Sequence, residues 1–404
     1  MYHIKLSNDI PKPQPVSSDY IVAAHYYAAW KKGAPGLHNG FDDLHGYPER
    51  TPLMGYYDEE NPDVCDWEIK WAVEHGINCF IHCWYRYRHN MGKPVTPDDL
   101  RCGHGLHEAL FHAKYQQYMK FAIMYEASER WGGTDEKDLL ENLMPFWTET
   151  YFTRGNYLII DNKPVLFVFD PHHQVQNAFA TPEAQKAAFD RCREYAKAQG
   201  FDGLIFAVQD KSSDPAVAEN YAACGYDFCF VYGYGYSGET EYPSEAFLIE
   251  DQKRYFQSKI DMHHGRYIPT ASSFWDPTPR FSQAWQDQGY HFERSKRWYL
   301  TPEAYRTVLR NCKAMSDALP DDMPGKKIIM IDNWNEWDEG HFVAPSHEFG
   351  FKFLEAIREE LTHRDNLPDY RTPQDLGFTG YNKSWGEPDL SEACKKKFGV
   401  TYDE

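Results

Sequence analysis

The sequence predicts a single (β/α)8 barrel, the TIM-barrel fold, because short apolar segments alternate with helical segments along most of the chain. Continuous apolar runs are typical of parallel strands that are covered by helices. The 404 residues and the hydrophobic content of 42% are sufficient for one such barrel with a large core. No Gly-x-Gly-x-x-Gly follows the first strand and no Walker-type loop occurs. These absences disfavour an open nucleotide-binding sheet.

Eight segments have the length and composition of buried strands. The seventh is the weakest, because Pro269 removes a hydrogen-bond donor that a central strand would use. In chain order the predicted strands are 21–24, 78–82, 121–125, 165–169, 204–208, 228–232, 267–271 and 328–332.

Helical segments separate most of these strands. Two of them begin with Thr-Pro-Glu, at Thr181 and Thr301, which combines an N-cap, a proline in the first turn and an early acidic residue. We expect a catalytic barrel over residues 1–364 and, after it, a short irregular C-terminal extension over 365–404 that packs on the barrel. The predicted helices are 64–76, 105–119, 135–152, 181–200, 214–225, 301–319 and 349–364.

Composition limits the partners and the compartment. The net charge of −19 argues against nucleic acid and against anionic membrane surfaces. No apolar run is long enough for membrane insertion, and residues 1–20 show no signal peptide. Nine cysteines, an odd number that lie mostly in apolar segments, favour reduced thiols and a cytoplasmic protein, or an exported one if a leader has been removed. The oligomeric state stays open.

Metal and cofactor motifs are absent from the sequence. The cysteine spacings, such as Cys79 to Cys83, differ from the paired Cys-x2-Cys of a zinc site. No His-Glu-x-x-His occurs. We therefore expect no metal and no cofactor.

The segment after the eighth predicted strand carries the strongest indication of function. It reads Asn-Trp-Asn-Glu-Trp-Asp-Glu-Gly over residues 333–340 and places Glu336 and Glu339 three residues apart. Cleavage of an acetal needs two such groups, since one donates a proton and the other accepts a proton or attacks. The simpler interpretation is a loop with solvated acids and structural tryptophans, but the tryptophans beside the acids favour the functional one.

Aromatic and polar side chains follow every predicted strand, where the active site of a (β/α)8 barrel lies. Aromatic faces bind the apolar C–H surfaces of sugars, so these residues predict a carbohydrate substrate. Each residue alone has a structural alternative; Asp276, for example, could cap a helix and pair with Arg280. The candidate substrate-binding residues are His25, Tyr26, Tyr27, His82, Trp84, Tyr85, Glu126, Tyr232, Trp275, Asp276, Arg280, Asn335 and Trp337. Further candidates at the strand ends are Glu129, Arg130, Trp131, Asp170, His172, His173, Gln209, Asp210, Tyr234 and Tyr236.

These residues resemble the WbsX-like family, which is related to glycoside hydrolase family 99. The resemblance extends over roughly residues 20–362, and its motifs are His-Tyr-Tyr at 25–27, Gly-Tyr-Tyr-Asp at 55–58, 75–80, Trp-Tyr at 84–85, 161–165, 275–280 and 334–340. It implies a (β/α)8 barrel that acts on glycans. It further implies that Glu336 is the base acting on the substrate 2-hydroxyl and Glu339 the general acid, in a retaining mechanism through an anhydro sugar. We expect burial near Trp337 to raise the pKa of Glu339.

Three functions are compatible with the sequence. The first is a glycoside hydrolase that cleaves an oligosaccharide or polysaccharide with the glutamate pair. The second is a glycosyltransferase of surface-polysaccharide biosynthesis, which would need a nucleotide-sugar or lipid-linked donor; no Asp-x-Asp lies on a plausible loop. The third is a non-catalytic glycan-binding protein. The acidic surface disfavours sulfated or uronate-rich polymers unless Arg86, Arg130 and Arg280 gather in the cleft.

Overall fold

The computed structural model describes residues 10–33, 40–128, 133–169, 178–280, 296–378, 381, 385 and 386. Eight parallel strands form the predicted barrel, which is nearly closed. We number them β1 (Ile21–Tyr26), β2 (Cys79–Arg86), β3 (Lys120–Glu126), β4 (Lys163–Phe169), β5 (Ile205–Gln209), β6 (Phe228–Phe230), β7 (Thr270–Ser272) and β8 (Ile328–Asp332).

The strands follow one another around the barrel, from β6 back to β1, then to β8 and β7. The β1 residue Ala23 pairs with Met330 on one side and Cys79 on the other. A single parallel bridge between Cys229 and Tyr267 joins the two remaining edges. The strand side chains are almost entirely buried, which explains why the strands appear as continuous apolar runs in the sequence.

Helices cover the outside of the barrel, and the two Thr-Pro-Glu starts are confirmed. Thr181 accepts a hydrogen bond from the backbone N–H of Ala184, and Thr301 accepts one from Ala304. The α-helices that pack around the barrel are Pro62–Glu74, Pro182–Ala198, Pro215–Ala223, Glu245–Met262, Pro302–Ala318 and Lys352–Leu361. A continuous helical segment covers 136–152, with π-helical turns at Leu139–Leu143 and Thr148–Phe152.

The single helix predicted over 105–119 is wrong. This segment consists of a π-helical turn, Gly105–Ala109, and two 3-10 turns, Leu110–His112 and Gln116–Tyr118. The carboxylate of Asp66 accepts hydrogen bonds from the backbone N–H groups of Lys114 and Tyr115 at 3.0 and 2.8 Å. Because those N–H groups bind a side chain, they are unavailable to continue the helix.

The helix Glu245–Met262 was not predicted. Its buried face includes Gln252 and Lys259 together with Leu248 and Phe256, so its hydrophobic pattern is interrupted. Strand β7 is also shorter than predicted and begins directly after Pro269, as expected for a residue that lacks an N–H.

The described part of the C-terminal segment contacts the barrel. Trp385 donates a hydrogen bond from Nε1 to the carbonyl of Tyr57 at 2.9 Å, and Trp67 donates one from Nε1 to the Tyr381 hydroxyl at 3.0 Å. The eight cysteines within the described ranges are buried free thiols. Among the described residues, no helix combines the length and apolar character needed to cross a bilayer.

Candidate active site

A short hairpin after β8 holds the carboxylate motif. Asn335–Glu336 pairs antiparallel with His341–Phe342, so Glu336 lies opposite His341. The turn contains Gly340 at φ +59°, where an added Cβ would lie 2.6 Å from both Arg50 Nη1 and the carbonyl oxygen of Asp276. Only glycine fits this turn without a clash. The hairpin thus brings Glu336, Glu339 and His341 together beyond the end of β8.

These three side chains line a cavity of about 920 Å³ at the carboxyl ends of the strands. This is where the sequence placed the site. Eight of the predicted site residues line the cavity: Tyr27, Tyr85, Glu126, Tyr232, Trp275, Arg280, Glu336 and Glu339. Tyr234 and Tyr236 line it as well.

The Glu336 carboxylate is held through both of its oxygens. The Tyr232 hydroxyl donates to Oε1 at 3.0 Å, and Arg280 Nη2 donates to Oε2 at 3.2 Å. Glu336 is only 5% exposed. The two donors fix the orientation of the carboxylate towards the cavity.

Glu339 lies beside an arginine and a histidine. Arg280 Nη1 contacts its Oε1 atom, and His341 Nε2 lies 2.6 Å from its Oε2 atom. One carboxylate oxygen of Glu336, one of Glu339 and one ring nitrogen of His341 lie within 4.8 Å of one another. The two glutamates are therefore close enough to act on the same bond of a substrate.

Arg280 is the positive charge among these acids. Its Nε atom lies 3.4 Å from Oδ2 of the buried Asp338, in addition to its contacts with Glu336 and Glu339. Burial alone would lower the pKa of Arg280, but the carboxylates of Asp338 and Glu336 raise it above its ordinary value. Glu336, Glu339 and His341 could also surround a cation. Arg280 already supplies the positive charge there, so this grouping does not by itself indicate a metal site.

Several predicted substrate-binding residues lie in the core next to the site and do not face the cavity. Trp337 donates to the Tyr57 hydroxyl at 3.1 Å, and Trp84 donates to the Tyr151 hydroxyl at 2.9 Å. Asn335 donates to Glu59 at 3.0 Å. These side chains are buried in the core and do not line the cavity. The indole of Trp337 thus packs in the core, whereas the Glu339 carboxylate contacts Arg280 and His341.

His25, Tyr26 and His82 are likewise buried and are not among the cavity residues. Burial lowers the pKa of each histidine to about 3, so both are neutral. The His25 ring lies 4.5 Å from the Tyr232 ring, and the His82 ring lies 4.5 Å from the Tyr26 ring. These rings pack the barrel interior beneath the cavity.

Asp276 belongs to a separate ion-pair group. Arg50 Nη2 lies 2.9 Å from its Oδ2 atom, and Arg297 Nη1 lies 3.8 Å from its Oδ1 atom. Asp276 is not among the cavity residues, although its neighbour Arg280 is. Both residues were expected to line the opening of the barrel, but of the two only Arg280 lines the cavity.

The other candidates at the strand ends lie in different surroundings. Arg86 is buried and pairs with Asp138, and Asp210 pairs with Lys259 and His263. Gln209 accepts a hydrogen bond from the backbone N–H of Tyr232 at 3.2 Å. Glu129, Arg130, Trp131, Asp170, His172 and His173 lie outside the described residues.

Two buried glutamates anchor the motif from the core side. Glu68 accepts hydrogen bonds from Trp334 Nε1 at 3.0 Å and from the Tyr26 hydroxyl at 2.8 Å. Glu59 accepts from the Trp30 backbone N–H at 3.0 Å and from Asn335. Burial raises the pKa of each glutamate to about 8. Both therefore hold the motif as largely neutral acids near pH 7.

His341 and the role of Asp332 were not predicted from the sequence. Asp332 was predicted only as the last residue of the eighth strand, and His341 lies directly after the motif at residues 333–340. The antiparallel pairing of Glu336 with His341 brings them together, and that pairing depends on a turn which the sequence does not reveal. A hairpin signal at Gly340 could have indicated it.

Comparisons with known proteins support the resemblance. Residues 115–357 match the family model described as "Glycosyltransferase WbsX". "Uncharacterized protein WxcX" of Xanthomonas campestris pv. campestris (strain B100) is 24% identical over 385 residues, which cover 85% of this chain and 48% of that protein. The chain thus spans about half the length of the curated relatives it matches.

Two solved structures share the fold. The GH99 endo-alpha-mannosidase from Bacteroides thetaiotaomicron, in complex with BIS-TRIS-propane, is 14% identical with a TM-score of 0.54 and covers 85% of this chain and 96% of its own. A "Glycoside hydrolase-like protein" is 17% identical with a TM-score of 0.59 and covers 88% of this chain and 98% of its own. At these identities the similarity shows the barrel fold alone.

Proposed function

Since the chain belongs to the WbsX family, we propose that it is a glycoside hydrolase that cleaves a glycosidic bond in an oligosaccharide or polysaccharide. One observation carries the proposal. Carboxylate oxygens of Glu336 and Glu339 lie within 4.8 Å of each other on the wall of a 920 Å³ cavity at the carboxyl ends of the strands.

In this proposal Glu339 is the general acid. It donates a proton to the glycosidic oxygen, which leaves as a hydroxyl group when the bond to the anomeric carbon breaks. Its side chain is 20% exposed, so a substrate in the cavity can reach it. Glu339 then accepts a proton from the water that completes hydrolysis.

Glu336 is the base or nucleophile. It either attacks the anomeric carbon or removes the proton of the sugar 2-hydroxyl, whose oxygen then attacks that carbon to give an anhydro sugar. Carboxylate oxygens within 4.8 Å of each other fit direct attack with retention, for which the carboxyl groups lie about 5–5.5 Å apart; an anhydro route need not obey this range. Tyr232 and Arg280 keep Glu336 oriented throughout.

The substrate we propose is a carbohydrate that stacks on the aromatic residues of the cavity. Tyr27, Tyr85, Tyr232 and Trp275 offer such faces. Of the arginines expected to admit acidic polymers, Arg86 pairs with Asp138 away from the cavity. The exposed cations that do line it are Arg88, Lys211 and Lys296, so both neutral and acidic glycans belong in a substrate screen.

The test is a glycan panel in which released products are identified by mass, without any added sugar donor. We expect release by the wild-type chain and a loss of about 10²-fold or more in turnover for Glu339→Gln and for Glu336→Gln. Glu303→Gln is the matched control, because the Glu303 side chain is 84% exposed on an outer helix. Release by either site variant within twofold of the wild type would overturn the assignment.

A transferase is the second candidate, because the matching family model is described as a glycosyltransferase. Activity that appears only with a nucleotide-sugar donor would favour it. A glycan-binding protein is the third candidate. It would keep its affinity for the glycan in Glu339→Gln and show no turnover in the wild type.

A further inference from the structure

His341 connects two carboxylates on the wall of the cavity. Its Nδ1 atom lies 2.5 Å from Oδ1 of Asp332, and its Nε2 atom lies 2.6 Å from Oε2 of Glu339. His341 and Asp332 are almost completely buried, at 3% and 2% exposure. Glu339 lies at the open end of this row, where a substrate can reach it.

The two short distances require two hydrogens. A carboxylate oxygen and a bare imidazole nitrogen are both acceptors, so each contact needs a proton between its heavy atoms. In the contact with Asp332, Nδ1 is the donor and carries the first proton. The second must lie between Nε2 and Oε2 of Glu339, on one atom or the other.

The other groups around His341 do not supply the proton that lies between Nε2 and Glu339. Glu336 lies opposite in the hairpin, and the Tyr232 ring packs edge-on at 5.8 Å. His25 is neutral, because burial lowers its pKa to about 3. Arg280 contacts the other oxygen of Glu339, which leaves Oε2 to His341.

We propose that Asp332, His341 and Glu339 form a proton-sharing triad in which His341 is the positioning residue that holds, on Oε2 of Glu339, the proton delivered to the leaving group. This inference rests on the proposed hydrolase function and deepens it. Asp332 fixes the tautomer of His341 by binding Nδ1–H, so that Nε2 faces Glu339.

Each proton is accounted for in the two steps of hydrolysis. In the first step the shared proton moves from Oε2 to the glycosidic oxygen, whose bond to the anomeric carbon breaks with its electron pair. A bond to that carbon forms at the same time, either from Glu336 or from the 2-hydroxyl oxygen, whose proton Glu336 takes. Glu339 is then a carboxylate beside a neutral His341. In the second step water adds its hydroxyl to the anomeric carbon and gives its other proton to Oε2, which restores the shared proton. The bond that formed in the first step breaks, and on the anhydro route the 2-oxygen takes its proton back from Glu336.

An exposed Asp–His pair far from the cavity serves as a control. His363 Nε2 lies 3.1 Å from Asp19 Oδ1, and its backbone N–H binds the carbonyl of Ser17, just before β1. This pair is therefore at the opposite end of the barrel from the cavity. It is also exposed, with His363 at 53%.

The kinetic test uses aryl glycosides of the sugar released in the panel, with 4-methoxyphenyl and 2,4-dinitrophenyl leaving groups. A loss of proton delivery affects only the poor leaving group. For His341→Gln and Asp332→Asn we expect kcat/KM, which reports cleavage of the glycosidic bond, to fall by about 10²-fold for the 4-methoxyphenyl glycoside and to change by less than about threefold for the dinitrophenyl glycoside. His363→Gln should match the wild type on both. Equal losses on both substrates would mean a structural role and overturn the proposal.

A second measurement needs no substrate. In the full chain with ¹⁵N-labelled histidine, we expect a strongly downfield proton signal from the His341–Glu339 contact. It should vanish in His341→Gln and Glu339→Gln and persist in Glu336→Gln and His363→Gln. The Nδ1–H donated to Asp332 gives a second downfield signal, which should survive in Glu339→Gln and be lost in Asp332→Asn. If no wild-type downfield signal is lost in Glu339→Gln, the triad is overturned. A triad detected in a chain that releases no sugar would instead count against the hydrolase function alone.

Discussion

Arg280 Nη2 lies 3.2 Å from Oε2 of Glu336, within a group in which the same guanidinium also contacts Asp338 and Glu339. One cation thus serves three carboxylates in a largely buried position. Because it links the hairpin acids to the segment after β7, the stability of the hairpin and the orientation of Glu336 depend on the same side chain.

Replacing Arg280 should therefore affect stability and activity together. Arg280→Met removes the guanidinium that pairs with the buried Asp338, and breaking a buried ion pair typically costs about 3–5 kcal/mol of unfolding free energy. Arg254→Met is the control, since Arg254 is 70% exposed and its pair with Asp251 should contribute at most about 1 kcal/mol. Denaturant unfolding of both variants measures the difference. Equal losses would contradict the importance of the Arg280 group.

Gly340→Ala should destabilise the hairpin and lower activity. The substitution adds a Cβ that lies 2.6 Å from Arg50 Nη1 and from the Asp276 carbonyl, at a left-handed φ of +59°. Gly350→Ala is matched, because Gly350 has φ +54° and no atom within 4 Å of the added Cβ. We expect the control to lose about 1 kcal/mol of stability from the backbone conformation alone, and Gly340→Ala to lose more. Similar melting temperatures for the two variants would show that the contact relaxes freely.

The stability of the chain should fall as the pH rises towards 9, because of Glu59 and Glu68. Burial raises the pKa of both to about 8, compared with about 4.3 in an unfolded chain. Their contribution is thus complete below about pH 4 and is lost as the pH rises through about 8. Glu68→Gln removes one of these titrating groups.

Unfolding at about pH 6 and about pH 9 checks this expectation. The stability of Glu68→Gln should fall less between the two values than that of the wild type, whereas Glu303→Gln should follow the wild type. An unchanged pH dependence in Glu68→Gln would show that Glu68 does not retain its proton on folding.

Trp275→Leu should weaken substrate binding. Trp275 lines the cavity, and its backbone pairs with that of Trp298 in a two-stranded antiparallel ribbon. A lost aromatic contact of about 0.5–1.5 kcal/mol corresponds to a rise in KM of roughly 2- to 12-fold with little change in kcat. Tyr370→Leu, an exposed aromatic that packs on Phe351, is the control. An unchanged KM in Trp275→Leu would remove this residue from the binding surface.

The barrel could be predicted from the sequence because the residues that form each strand and each helix start lie close together in the chain. Each strand is buried on both sides and therefore appears as a continuous apolar run, and Thr181 and Thr301 start their helices with side chains that bind N–H groups three residues on. The two helices that were predicted wrongly or missed also have identifiable causes in single residues. Asp66 ends the helical pattern near Lys114, and Lys259 interrupts the apolar face of the helix that was missed.

The sequence by itself determined that Glu336 and Glu339 follow the last barrel strand, because the fold places every strand end at one face. It did not determine which neighbouring side chains point into the cavity. Trp337 and Trp84 turn towards the core, where their N–H groups find buried acceptors, while His341 comes opposite Glu336 through the hairpin. Only the tertiary structure decided these orientations, because they depend on partners far away in the chain, such as Tyr57 for Trp337 and Tyr151 for Trp84.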